Sequence, residues 1–336
     1  MLKLMTFSIL LQLFLSAGTA QEVPVVLSVG GQNETGFLTK WDYAAQRAIF
    51  FRDTRVASVP AVQMVAQSGS MISIYPLLDL PGALSIGVWD VAQTPSGGVV
   101  FSAIAQYTAE SSKPRVLKSL LMTYDRDGKL ERIWDVYPYH HHHLAVAADG
   151  SVFALGTKDT KERGYPLLIK YSSAGRVLGE FLPASQFAVG DEVVESGSEC
   201  GETEMFVAGD QLVLWLAPAE EILTISLSGG IRGRYPLHKV LANMATNNNA
   251  AKAKIIKMSP TQTAGTFLAQ IQLWPAAGDA TSKVRTVMAV LPTNGDGQLV
   301  TSKSPEGGKF LGQTKSGKAV YLEYKPPVGL VLHTYE

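Results

Sequence analysis

The sequence predicts an all-β fold: a six-bladed β-propeller of four-stranded antiparallel blades, the last blade closed by the N-terminal strand. Three observations carry that expectation. Short apolar runs rich in Val, Ile, Phe and Tyr recur along the chain, each bounded by turn formers. The runs join as hairpins, and pairs of hairpins recur at a period of roughly 50 to 60 residues, the range of propeller blades. Beyond the N-terminal segment, no stretch has the apolar spacing of a three-turn helix.

The elements follow in order. Met1-Leu2-Lys3 is a short positive region, Leu4 to Leu15 an apolar core too short to span a bilayer comfortably, and Ser16-Ala17-Gly18-Thr19-Ala20 a run of small residues. Together they read as a signal peptide cleaved after Ala20, leaving Gln21 first; an uncleaved anchor is the alternative. No later stretch approaches the length of a transmembrane helix, so the expectation is a soluble, secreted or periplasmic protein with one domain over residues 21–336.

Val23 to Val29 is a short apolar strand. Gly36 to Trp41 and Ala48 to Phe51 flank a polar turn, and Val62 to Gln67 and Met71 to Tyr75 flank Ser68-Gly69-Ser70. Asp90 to Thr94 and Val99 to Ala105 form one hairpin, and Leu120 to Tyr124 and Lys129 to Val136 the next. Leu144 to Phe153 turns at Asp149-Gly150, and Leu167 to Tyr171 pairs with Arg176 to Phe181. Met205 to Leu216 turns at Gly209-Asp210, and Ile222 to Leu227 and Ile231 to Tyr235 flank Ser228-Gly229-Gly230. Ala253 to Leu273, Thr286 to Leu291 with Gln298 to Thr301, Phe310 to Leu322, and Gly329 to Tyr335 complete the series.

Units begin near Gly30, Asp90, His143, Met205, Ala253 and Phe310. The last unit has three strands and the first has a spare one, Val23 to Val29. Donating it to the last blade would close the ring and remove two open sheet edges. Seven blades, one poorly marked, is the alternative count. The hairpin Ala147-Ala148-Asp149-Gly150-Ser151-Val152-Phe153-Ala154 resembles those of six-bladed propellers of the NHL and SMP-30/gluconolactonase type. That resemblance implies the architecture over nearly all the mature chain. It also implies, as an alternative function, a lactonase-like hydrolase with a divalent metal held by carboxylate and asparagine side chains at the channel mouth.

Composition excludes several classes. With 29 basic and 29 acidic residues the formal charge is zero, which argues against nucleic-acid binding. Cys200 is the only cysteine, so no intrachain disulfide forms, and nothing nearby in sequence marks it as reactive. No nucleophile elbow, zinc-protease helix, P-loop or dinucleotide fingerprint occurs.

What remains are polar clusters in blade-to-blade connections: His140 to His143, then Asp191 to Glu204, then Asn243 and Asn247 to Asn249. Neighbouring residues on a strand point to opposite sides, so four adjacent histidines are not a metal motif by spacing, and at most a pair such as His141 and His143 shares a face. The expected ligand site is His141, His143, Glu199, Glu202, Glu204, Asn247, Asn248 and Asn249 at one channel mouth, with His141, His143, Glu202 and Asn248 as the metal candidates. The bland readings are a structural histidine run, a solvated acidic loop and an asparagine turn. Histidine ligands would make binding weaken as pH falls through about 6.5. The five tryptophans are expected to pack between blades rather than to bind sugars. The functional expectation is an exported propeller that binds a ligand or protein partner without a catalytic motif; a scaffold of an envelope complex is a further alternative.

Overall fold

The computed structural model describes residues 21–25, 38–51, 62–75, 80, 82–107, 116–159, 164–187, 203–263, 265–276, 283–292, 298–300 and 308–335. They form six four-stranded antiparallel sheets arranged as the blades of a ring. After β1 (Gln21–Pro24), blade one contains β2 (Leu38–Asp42), β3 (Arg47–Phe51), β4 (Val62–Ala66) and β5 (Met71–Tyr75). Blade two contains β6 (Ala83–Gln93), β7 (Val99–Tyr107), β8 (Val116–Tyr124) and β9 (Leu130–Asp135), and blade three β10 (Tyr139–Val146), β11 (Val152–Lys158), β12 (Pro166–Tyr171) and β13 (Val177–Pro183). Blade four contains β14 (Glu204–Ala208), β15 (Gln211–Leu216), β16 (Glu221–Ser226) and β17 (Ile231–Pro236). Blade five contains β18 (Lys252–Pro260), β19 (Thr266–Trp274), β20 (Arg285–Pro292) and β21 (Gln298–Val300). Blade six contains β22 (Lys309–Gln313), β23 (Ala319–Lys325) and β24 (Gly329–Tyr335), with β1 as its fourth and outermost strand.

The expected closure is present with its boundary moved. β1 runs antiparallel to β24, Gln21 opposite Thr334 and Pro24 opposite Val331, and the Val25 N–H donates to the Leu330 carbonyl at 2.9 Å. The closing strand is therefore Gln21–Pro24 rather than Val23 to Val29, whose residues 26–29 lie outside the described residues. Val23 and Val25 pack into the core between blades six and one, so a strand this short is held by two apolar side chains together with its main-chain bonds.

The turns explain why strands break where they do. At Ala147 to Ser151 the Ala147 N–H donates to the Ser151 carbonyl and the Gly150 N–H to the Ala147 carbonyl, both at 2.9 Å. Gly150 has φ 80°, a left-handed value that glycine adopts without a Cβ penalty. Asp149 Oδ1 locks the turn by accepting from the Ser151 N–H and hydroxyl. The same pair of main-chain bonds recurs at residues 66–70, 94–98, 125–129, 172–176, 226–230 and 314–318. Each of these turns joins the first strand of a blade to the second or the third to the fourth. They therefore share one face of the ring, called here the hairpin face.

The core lies between blades rather than within them. Ile49 and Met64 of blade one pack with Ile86, Phe101 and Met122 of blade two, and equivalent buried clusters occupy each following interface round to Trp41, Phe50, Leu311 and Leu332, where blade six meets blade one. Each large side chain so buried contributes roughly 1.5–3 kcal/mol. The outer strand of one blade also presses on a glycine turn of the next. A Cβ added at Gly175 would lie 2.2 Å from Trp134, and one at Gly229 would lie 1.8 Å from Phe181. The closing strand repeats the contact, since a Cβ at Gly69 would lie 2.0 Å from the Pro24 carbonyl oxygen.

Trp41, Trp89, Trp134 and Trp215 pack against neighbouring blades, as expected; Trp274 is 43% exposed. The ten-residue helix α1 (His238–Asn247) departs from the all-strand reading. It fills the connection from β17 to β18 and buries Leu241, Met244 and Ala245 along one side. This is an amphipathic spacing just short of three turns, in a stretch otherwise rich in alanine and asparagine.

Candidate functional site

The six innermost strands run in the same direction around a central channel. A cavity of about 500 Å³ opens on the hairpin face of that channel. Its rim comes from the first turns of the blades, including Asp42 to Ala45, Thr94-Pro95, Ala147-Ala148 and Gly209. Its wall includes Trp41, Tyr43, Phe206 and Met258, and Lys40, Glu204 and Lys257 line its inner end.

These charges belong to inner strands, and two ion pairs organise them. Lys40 Nζ donates to Asp90 Oδ2 at 2.8 Å and to the carbonyls of Leu144 at 3.0 Å and Val91 at 3.3 Å. Asp90 Oδ2 also accepts from the Leu144 N–H at 2.6 Å, so one buried carboxylate ties blades one, two and three together. Lys257 Nζ donates to Glu204 Oε1 and joins blades four and five. Lys309, on the inner strand of blade six, is open to water inside the channel but has protein around it. Its amine is held below the usual lysine value by lost solvation first and by the Lys257 charge second, with Glu204 opposing. Asp90→Asn is expected to cost about 3 kcal/mol of stability, because Lys40 loses its charged partner. Urea unfolding of the variant measures the loss.

The histidine run forms the seam between blades two and three. His140 Nδ1 and Ser119 Oγ share a hydrogen bond at 2.8 Å. His142 stacks on Trp89 at 4.2 Å between ring centroids, and its Nε2 lies 3.3 Å from Thr157 Oγ1. Both residues of that stack are the extra residue of a β-bulge, Trp89 between Val88 and Asp90 and His142 between His141 and His143. The bulge breaks the alternation on which the pairing of His141 with His143 was expected. His141 lies inside blade three, 2% exposed, with Nε2 2.9 Å from the Tyr171 hydroxyl and its ring stacked on Tyr139. Its main-chain carbonyl accepts from Ser102 Oγ. Nδ1 of His141 has no partner among the described residues, so the tautomer of lower cost carries its proton on Nε2, towards Tyr171.

Burial holds His141 and His142 down to about 3, with neighbouring imidazoles adding to the effect. His140 is lowered by burial, against the pull of Asp159. A response of His141 near pH 6.5 therefore does not survive its burial.

A second cavity, of about 470 Å³, lies on the opposite face, where α1 runs into β18. Asn248, Asn249, Lys283 and Arg285 line it. The residues singled out from sequence are thus distributed as follows. Glu204 sits at the inner end of the channel cavity, Asn248 and Asn249 at the second cavity, Asn247 at the end of α1, and His141 inside blade three. His143 lies on β10 opposite Leu155, while Glu199, Glu202 and Cys200 lie outside the described residues. Neither cavity is lined by two of the expected clusters. Among the described residues no group of three or more His, Cys, Asp or Glu side chains is placed to hold a metal ion. Sequence reasoning missed Lys40, Asp90, Lys257 and Lys309. The available signal was a charge flanked by apolar residues on an inner strand, as in Ile256-Lys257-Met258 and Trp89-Asp90-Val91.

No protein-family model matches this chain, and no curated protein matches it. Solved structures do. A Bacteroides fragilis protein described as a "putative exported protein" superposes with a TM-score of 0.55 at 8% identity, covering 96% of this chain and 95% of its own. A member of the duf4221 family from Bacteroides vulgatus gives 0.51 at 10% identity, over 95% and 97%. Streptogramin B lyase gives 0.49 at 10% identity, over 95% and 98%. Likeness at such identities speaks for the fold alone. The chain is a six-bladed β-propeller closed by its own N-terminal strand, with no narrower family identified.

Proposed function

We propose that this is an exported binding propeller whose central cavity takes an acidic ligand, a carboxylate-bearing small molecule or the acidic end of a protein partner. The observation that carries the reading is the charge at the inner end of the channel cavity. Lys40 and Lys257 line that end, and Lys309 stands near enough to feel the Lys257 charge. These three ammonium groups face Asp90 and Glu204 there, with Asp42 at the outer rim, so below the aromatic wall the described residues carry one more cation than carboxylate. Such a site offers an anion direct ammonium contacts in a confined space, where they are stronger than in open water. The N-terminal segment supports export. β1 begins at Gln21, so removal of residues 1–20 would leave the closing strand whole, which supports the reading. Among the described residues no helix is long and apolar enough to cross a membrane.

Thermal-shift and calorimetric titration with mono- and dicarboxylates tests the reading. A dicarboxylate is expected to bind saturably, and Lys257→Met to weaken it at least about tenfold, the loss of one charge-assisted hydrogen bond. A double variant, Lys257→Met with Glu204→Gln, removes the pair without leaving a lone buried carboxylate. Undiminished binding in both variants, or no binding by any acid, overturns the proposal. Intact mass of the exported protein, expected to start at Gln21, tests the localisation.

A further inference from the structure

We propose a second binding site, on the face opposite the channel cavity, for the oxyanion head of an amphipathic ligand. It lies at the rim of blade five, where the last residues of α1 meet the facing ends of β19 and β20. Among the described residues, the lining of this cavity of about 470 Å³ includes Lys283 and Arg285 and no carboxylate. An anion there meets two cations and no opposing charge from the described lining.

The local chain is built to present them. α1 ends at Asn247, Asn248 Nδ2 donates to the Met244 carbonyl at 2.8 Å, and Asn249 turns the chain with φ 52°. Arg285 Nη2 donates to the Asn248 carbonyl at 2.5 Å. That bond has two effects. It places a cation against the negative end of the helix, which would otherwise repel an anion. It also fixes the guanidinium while using, among the described residues, one of its five N–H donors. The volume exceeds what an inorganic ion needs, and Ala250, Leu273 and Pro275 add apolar surface to the same lining. Acid head and apolar body are thus both provided for. The chemistry fits a carboxylate or a phosphate monoester equally, and the site does not depend on the channel reading.

Two probes separate the sources: phenylacetate for the carboxylate and phenyl phosphate for the phosphate, with benzyl alcohol as the uncharged control. Each is titrated into the mature protein while tryptophan fluorescence is followed, since Trp274 stands in the chain between the lining residues Leu273 and Pro275. At least one acid is expected to give a saturable change that benzyl alcohol does not, and that weakens as salt rises. Arg285→Gln should reduce the affinity at least about tenfold. Lys283→Gln, which leaves the Arg285–Asn248 bond in place, should also reduce it, so the result does not rest on a variant that uncaps the helix. Trp274→Phe should remove the signal, and Lys257→Met, in the channel, should retain it. Absence of saturation with both acids, binding undiminished in Arg285→Gln and Lys283→Gln, or loss of the signal in Lys257→Met overturns the proposal.

Discussion

Gly69→Ala is expected to lower the stability of the whole ring by about 2–4 kcal/mol, through overpacking and backbone strain together. The added Cβ would stand 2.0 Å from the Pro24 carbonyl oxygen and 2.6 Å from Val23, and a backbone oxygen cannot step aside as a flexible side-chain tip can. Gly69 also has φ 78°, which alone costs an alanine something. Gly209→Ala isolates that second part, because Gly209 has φ 62° and no atom within 4 Å of the added Cβ. It is expected to lose only about 1 kcal/mol. Deleting Gln21–Pro24 should produce a larger loss, since it leaves β24 an unpaired edge as well as removing the Gly69 contact. Urea unfolding of the three variants measures the order. If Gly69→Ala is no less stable than Gly209→Ala, the packing of the closing strand on blade one does not hold the ring shut.

The ring itself was legible because its grammar is local. Strand runs, turn residues and the repeat all leave marks within a few positions of one another, and Ala147-Ala148-Asp149-Gly150-Ser151 is such a mark. The spare strand was legible by arithmetic, though Gln21-Glu22 gave no apolar signal of its own. The arrangement of polar residues was harder to read, for physical reasons. The extra residue at His142 shifts every side chain before it relative to those after it, and a bulge has no reliable signature in sequence. The histidines were then put to use in an inter-blade seam, with Ser119 and Trp89 as partners from distant sequence. The channel charges were hard to read because a lysine in a short strand reads as an edge or surface position. Only the packing of consecutive blades around the channel brings Lys40, from blade one, against Asp90 and Leu144 of blades two and three.

The same seam makes the protein acid-sensitive in a window above the carboxylate range. His141 and His142 are held at about 3 in the folded chain, whereas an unfolded histidine titrates near 6.5. Below pH 6.5 the unfolded chain therefore takes up protons that the folded chain refuses. The stabilisation is fully present above 6.5 and is lost as pH falls from there towards 3. Between pH 7 and 5 each of the two should remove about 2 kcal/mol. The groups around them do not offset this: His140 is itself lowered, His143 is a further imidazole, and Tyr171 is pushed up and stays neutral. Urea unfolding at intervals between pH 7 and 5 should show stability falling by about 4 kcal/mol, with little contribution from carboxylates until the lower end. His142→Gln keeps a side-chain amide within reach of Thr157 and removes one titrating group, so it should be less stable than wild type at pH 7 yet lose only about half as much on acidification. A wild-type curve flat between pH 7 and 5, or a His142→Gln curve as steep as wild type, would show that these imidazoles are not shielded from protons in the folded ring.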